Sequence, residues 1–282
     1  MPEQAPAIER DLSFKPVTTE TPKRLTREQI ATYNREGYVK PFTAFSPDEM
    51  ADVSGYFDSL LDKLKAFQDG RDAYAINCYQ ARCAGLYDLC THPRILDAVE
   101  DIVGPDIICW ASHYFCKLPH DPKAVPWHQD ASYWDLTPAR TVTVWLAIDD
   151  ADEENSAMKF IPRTHNLGHL KWRKAKVPCV LDQEVVDVEQ LGEPVYDTLK
   201  AGEFSLHADM LVHGSDPNAS ARRRCGLTLR YCPPTVRRAS ERWKTEEIIC
   251  RGHDPAGYWQ HHPRPDGDDL ALERRPMSVG GN

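Results

Sequence analysis

The sequence predicts a mainly β core with flanking N-terminal helices, the β part forming a sandwich or barrel. Three observations carry this reading. Apolar residues recur at helical spacing only before Gly104, each time behind a helix-start signal. After Gly104 the pattern changes to short alternating runs cut by Gly, Pro, Asn and Asp, which is how many short strands look in sequence. Proline, at 22 residues, outnumbers glycine, at 15, and so favours turns over a helical bundle.

The elements follow in order. Residues 1–25 are polar, proline-containing and aperiodic, and read as an N-terminal arm. In LTREQIATYNREGYVK, Thr26 and Gln29 make a capping box, Ile30, Tyr33 and Asn34 begin a stripe, and Gly37 stops it. Tyr38-Val39 reads as a short strand. Ser46-Pro47-Asp48-Glu49 starts a second helix, with Pro at the first helical position, running to about Phe67. Its face is Met50, Val53, Phe57, Leu60, Leu61 and Leu64. A third helix fits Pro93 to Val103. The runs DIICWASHYFCKL, TVTVWLAID, KFIP, EPVYDTLKAG, EFSLHADMLVHG and CGLTLRYCPP then read as strands. Residues 26–282 are expected to form one domain: a helical part over about 26–104, a β core over about 105–235 and a C-terminal extension over 236–282. A further helix is expected within 240–260, and SVGGN reads as a frayed end.

Composition bounds the function. The 282 residues hold 41% apolar and 27% charged residues, as in an ordinary globular protein. A net charge of −9 argues against a nucleic-acid partner, which needs a basic footprint. No run of about 18 apolar residues occurs, so no membrane span is expected. MPEQAPAIERDL lacks an apolar secretory core. The nine cysteines are odd in number and form no C-x-x-C, which reads as free thiols in a cytoplasmic protein.

The chemistry centres on VPWHQDASYWD. His128 and Asp130 stand two apart at an expected strand end, where alternation puts both on one face. With one more His from a distant strand they make a two-His, one-carboxylate triad, which leaves coordination positions open on Fe(II). An H-x-D alone arises by chance, and His207-Ala208-Asp209 is a second instance. His213 separates the two. It lies far from His128 in sequence, whereas alternation would put it on the same strand and face as Ser205, His207, Asp209 and Leu211. His207 and Asp209 are therefore expected to line the barrel interior near metal or substrate, or to sit in a satisfied polar network.

WHQD, TVWLAIDDADEENSAMKFIPRTH and HGSDPNASARRRCGLTLRY together resemble the phytanoyl-CoA dioxygenase family of Fe(II)/2-oxoglutarate oxygenases, from about Leu25 to Pro234. The resemblance implies a double-stranded β-helix, a cupin-like jelly roll with flanking helices. It implies His128, Asp130 and His213 as iron ligands. The family's 2-oxoglutarate arginine falls eleven residues after the distal His, on Arg224, and its assisting hydroxyl on Ser215. A planar guanidinium suits a dicarboxylate. Lys117 matches a basic position of the family, and Thr143 and Trp145 lie on a strand bordering the cosubstrate pocket. All three stand equally as strand packing. The implied reaction consumes O2 and 2-oxoglutarate, releases succinate and CO2, and hydroxylates a small-molecule substrate. The carboxylate of Asp130 favours hydroxylation over halogenation. Where the family usually has N-G and P-G-S-H, this chain has Asn155-Ser156 and Pro162-Arg163-Thr164-His165. Arg163 either reshapes the substrate mouth or is a solvated surface residue.

Substrate contacts are expected from Asn77 and Arg82 in a segment over the barrel mouth, and from Trp127, Tyr133 and Trp134. With Trp110 and Tyr114, these rings either cage an ammonium group or pack the core. Residues 156–176 and 219–240 each carry six Lys/Arg and no acid. Both blocks flank the proposed site, which suits an anionic or zwitterionic substrate (carboxylate, phosphonate or CoA thioester), or else they are solvated faces. The protein is expected to act as a monomer or homodimer. The alternative is a non-catalytic jelly-roll protein that keeps a metal and ligand pocket. A zinc hydrolase would leave Arg224 unexplained and has no obvious general-base Glu.

Overall fold

Both capping boxes form. Thr26 and Gln29 bond each other's backbone N–H at the start of α1 (Arg27–Glu36), and Gly37, at φ 85°, closes it with its N–H on the Tyr33 carbonyl. Ser46 and Glu49 do the same for α2 (Pro47–Ala66), which buries Met50, Phe57, Leu60, Leu61 and Leu64. The computed structural model describes residues 8–176, 179–240 and 245–271. Its other helices are α3 (Ala84–Cys90), α4 (Pro93–Val103) and the single turn α5 (Asp130–Tyr133).

Fourteen strands are present among the described residues: β1 (Tyr38–Thr43), β2 (Ile107–Lys117), β3 (Val125–His128), β4 (Leu136–Thr137), β5 (Val142–Ala147), β6 (Lys159–Phe160), β7 (Trp172–Lys174), β8 (Gln183–Val185), β9 (Val195–Tyr196), β10 (Glu203–Ala208), β11 (His213–Ser215), β12 (Arg224–Cys232), β13 (Arg237–Arg238) and β14 (Ile248–Arg251). A six-stranded antiparallel sheet runs β1-β10-β5-β12-β2-β14, and a smaller sheet runs β3-β11-β6-β9. This is the mainly β, jelly-roll architecture expected.

The large sheet is buried on both faces, and alternation assigns each face a task. On β12, Cys225, Leu227, Leu229 and Tyr231 join one apolar core with α1, α2 and α4. Arg224, Thr228 and Arg230 point the other way, into a cavity. Gly226 stands in this second row, where an added Cβ would lie 2.1 Å from the Trp145 ring. The indole therefore lies across β12 only because no side chain is there.

Two expectations fail. The run 205–213 is not one strand: β10 ends at Ala208, the chain turns, and His213 enters the smaller sheet on β11. The helix expected within 240–260 is instead strand β14, which pairs with β2 at the edge of the large sheet. Residues 241–244 and the expected frayed end at 278–282 lie outside the described residues.

The N-terminal arm packs against the metal-bearing turn. The Ala139 N–H donates to the Asp11 carbonyl, the Asp11 N–H to Thr137 Oγ1, and Arg10 to the carbonyls of Leu136 and Ala131.

Candidate metal centre

His128 and His213 are cross-strand partners on β3 and β11, with ring centroids 4.1 Å apart. Gly214 lets the strands approach this closely, since an added Cβ would lie 2.8 Å from the Val125 carbonyl oxygen. The Nδ1–H of His128 donates to the Pro126 carbonyl at 2.8 Å, and that of His213 to the Leu211 carbonyl at 2.9 Å. A carbonyl only accepts, so in the neutral form of each ring the lone pair falls on Nε2. Those atoms lie 3.6 Å and 4.0 Å from the two Asp130 oxygens.

Asp130 reaches this point differently from the expectation. The strand ends at His128, and Asp130 opens the turn α5. Gln129 holds that turn: its amide donates to the Gly168 and Met210 carbonyls and its oxygen accepts the Leu170 N–H. Thr143 Oγ1 donates to Asp130 Oδ2 at 3.3 Å. Burial pushes the Asp130 carboxyl up, but Arg230 and the two histidines outweigh it, so it is held below its ordinary value. Burial, then His128, holds His213 well below the ordinary imidazole value.

The three ligand atoms lie within 4.8 Å of one another, and all three residues are buried. Two imidazoles and one carboxylate, oriented by their outer hydrogen bonds, fit an Fe(II) ion with positions left open.

Arg224 and Ser215 open onto the same cavity as the triad. Arg224 is only 2% exposed. It donates to the Ser156 carbonyl at 3.1 Å, the Phe115 carbonyl at 3.3 Å and Ser215 Oγ at 3.3 Å, and its guanidinium lies 5.7 Å from the Trp145 ring centroid. No carboxylate of the described chain pairs with it, which leaves an anion-seeking fork in the cavity wall.

Other expected site residues sit elsewhere. Lys117 is the cross-strand partner of Arg224, but its ammonium donates to the Lys123 and Asp216 carbonyls at 2.6 and 2.7 Å. Burial and Arg224 bring it down to about 7. Phe115, not Lys117, is the β2 residue lining the cavity. Thr143 bonds Asp130, and Trp145 of the same strand, not Thr143, lines the cavity. Asn77 is buried in a bridge to His113 on β2, and Arg82 is ion-paired with Glu246; neither lines the cavity.

The aromatic residues divide in the same way. Trp127 stacks near the Lys159 ammonium, 5.3 Å from its ring centroid. Tyr133 packs edge-on to His128 and accepts the Gln183 N–H. Trp134 is buried against Trp110. These rings support the cavity walls and do not form a cage.

Arg163 is a surface residue, its side chain 70% exposed and paired with Glu36. Both departures from the family pattern occupy left-handed backbone, Ser156 at φ 70° and Arg163 at φ 71°, the conformation in which glycine is least strained. His207 lines the cavity beside the triad, brought down to about 4 by burial. Asp209 does not. It faces a separate cavity under the arm with Phe14, Tyr33 and Arg140, accepts the Thr141 N–H, and burial raises it to about 7.

Arg230, Thr228, Met158 and Val125 also line the cavity and were not read from the sequence. For Arg230 a signal existed, namely period-two alternation along the strand from Arg224.

The chain is similar to known proteins in sequence and in fold. The family model described as phytanoyl-CoA dioxygenase (PhyH) matches residues 33–226. The chain is 26% identical over 175 residues to L-proline trans-4-hydroxylase of Streptomyces griseoviridis, covering 53% of this chain and 62% of that one. It is 27% identical over 145 residues to the peroxisomal phytanoyl-CoA dioxygenase of Bos taurus, covering 48% of this chain and 42% of that one. It thus spans less than two thirds of either relative. The solved structure of the non-heme monooxygenase ThoJ, in its apo form, superposes with a TM-score of 0.73 at 24% identity, over 84% of this chain and 88% of that one.

Proposed function

The chain belongs to the phytanoyl-CoA dioxygenase family, and from this we propose that it is an Fe(II)/2-oxoglutarate-dependent dioxygenase hydroxylating a small anionic or zwitterionic substrate. The carrying observation is one buried cavity that joins the His128, Asp130 and His213 triad to an arginine, Arg224, with no carboxylate partner. A bare metal-binding jelly roll gives Arg224 no task.

Bound at this triad, Fe(II) with 2-oxoglutarate supplies the oxidising chemistry, reducing O2 while 2-oxoglutarate becomes succinate and CO2. The chain's own residues bind, orient and exclude water. His128 and His213 present Nε2, held by the Pro126 and Leu211 carbonyls. Asp130 stays ionised under Arg230 and is aimed by Thr143. Arg224 and Ser215 bind the far carboxylate of 2-oxoglutarate, with Trp145 closing one side. Phe115, Val125 and Met158 make the cavity apolar between its charged groups, which strengthens those charges and keeps bulk water from the reaction.

The same reading makes residues 26–282 one catalytic domain that works on a small molecule and O2 as a monomer or homodimer, with no nucleic-acid or membrane partner. A cytoplasmic location agrees with its nine free thiols. No helix of the described residues is long and apolar enough to cross a membrane.

The test is anaerobic addition of Fe(II) and 2-oxoglutarate, followed by the metal-to-ligand charge-transfer absorption. A band that saturates with 2-oxoglutarate is expected. Its absence from folded protein overturns the oxygenase reading. A substrate panel scored by succinate release then identifies what is hydroxylated.

A further inference from the structure

A second buried arginine faces the cavity, and the reaction as proposed gives it too little to do. Arg230 lies six residues beyond Arg224 on the same face of β12, about 20 Å along the strand. The two guanidiniums therefore serve opposite ends of the cavity. Arg230 is 7% exposed. Its Nε has no hydrogen-bond partner and lies 4.0 Å from the nearest oxygen of Asp130. Its guanidinium lies 5.1 Å from the centroid of the Trp134 ring.

His207 shares this end. Arg230 on β12 pairs with Thr143 on β5, and Thr143 pairs with His207 on β10, so the three stand in one row across the sheet. His207 is 1% exposed, and neither ring nitrogen has a hydrogen-bond partner. It lies outside the ligand triad. In either neutral tautomer it offers one N–H donor and one acceptor. Buried donors left unmade are costly, and a native fold keeps them where a ligand completes them.

Charge points to the ligand's class. With the centre filled, Fe(II) and Arg224 balance the two carboxylates of 2-oxoglutarate and that of Asp130. The guanidinium left over belongs to Arg230. We propose that Arg230 and His207 form the recognition pole for the primary substrate, and that the substrate presents a carboxylate there. This deepens the oxygenase reading and rests on it. The space between atoms in this cavity is about 390 Å³ with its open mouth included. It must also receive 2-oxoglutarate, so the part of the substrate inside is small. Arg230 and His207 are then specificity residues, and Trp134 is the platform holding the guanidinium.

The test uses paired probes that differ only in charge: propionate against propionamide, and benzoate against benzamide. Each is titrated into the full chain with Fe(II) and 2-oxoglutarate under anaerobic conditions. Tryptophan fluorescence reports binding beside Trp134, and the charge-transfer band reports the iron and 2-oxoglutarate. The carboxylate of each pair should bind at least about tenfold more tightly than its amide, the scale of one charged hydrogen bond. Arg230→Met should erase that preference and Arg230→Lys should restore part of it, while His207→Phe should reduce it.

Equal binding of acid and amide overturns the proposal. So does an Arg230→Met variant that loses 2-oxoglutarate as severely as Arg224→Ala does, because Arg230 would then serve the cosubstrate. If the wild type forms no charge-transfer band, the oxygenase reading falls. The acid-over-amide preference, read by fluorescence on the apoprotein, still decides whether the anion pole exists. Should Arg230→Met fail to fold, the acid and amide pairs on the wild type and on Arg230→Lys carry the decision.

Discussion

Three consecutive arginines enter β12 and meet opposite surroundings. Arg222 is bonded to Asp152 and Glu154, and Arg223 is clamped bidentately by Asp149 and joined to Asp58. Arg224, one residue on, is buried with carbonyls and a hydroxyl but no carboxylate. Arg230, farther along the strand, has no hydrogen-bond partner for its Nε and stands 4.0 Å from the Asp130 carboxylate. The outer pair has its counter-ions built into the chain, and pairs that stay partly open to solvent contribute modestly. Of the inner pair, Arg224 has none and Arg230 has only the carboxylate of the metal ligand Asp130, which it shares with the two histidines; a buried cation of this kind is costly unless an anion is brought to it. Among these four arginines, carboxylates of their own mark the outer pair, and the lack of them marks the pair that lines the cavity.

The largest test of this contrast is at the centre itself. His213→Ala or Asp130→Ala should abolish Fe(II) uptake in anaerobic equilibrium dialysis while circular dichroism stays native. Iron retained at full stoichiometry would refute the triad. Next, Arg224→Ala should weaken 2-oxoglutarate binding by about a hundredfold, the scale of a lost bidentate charged contact. Arg223→Ala should leave that affinity unchanged and cost only about 1 kcal/mol of stability. If the two variants behave alike in the charge-transfer titration, the division into inner and outer faces is wrong.

Smaller effects sharpen the same division. Gly226→Ala drives a Cβ into the Trp145 ring. It should cost about 1–3 kcal/mol in denaturant unfolding and weaken 2-oxoglutarate binding through Trp145's contact with Arg224. A variant as stable as wild type would mean the indole is free to move. Asp209 is the acidic counterpart of the inner arginines: buried, bonded by the Thr141 N–H and raised to about 7. In the folded state it keeps its proton to higher pH than when unfolded. Its contribution is therefore present at low pH and is lost as pH rises from about 4 through about 7. Asp209→Asn should flatten that part of the stability–pH curve, and an unchanged slope would show that Asp209 is not its source.

Much of this was legible because it is local. The capping boxes at Thr26 and Ser46 and the stop at Gly37 involve neighbours in sequence, so they form as read. The H-x-D at His128 and the spacing of His213, Ser215 and Arg224 identify residues that the fold does bring to one cavity. Alternation along the chain loses its meaning past a strand end. The chain turns after Ala208, so Asp209 leaves the metal cavity and His213 joins another sheet. Residue type and spacing also do not name partners that come from far away in sequence. Arg82 is claimed by Glu246, Lys117 by two carbonyls, and Arg163 by Glu36.

The sequence by itself determined α1 and α2 with their capping boxes, α4, the β core, the ligand types and the anchoring arginine. Each follows from residue type, spacing or family pattern. Tertiary structure alone decided which charges are satisfied. Whether Arg223 has carboxylates of its own and Arg230 only a shared one depends on what Asp149, Asp58 and Asp130 contribute from other elements. A side chain's unmet hydrogen bonds are a property of its neighbours in space, and no period along the chain encodes them.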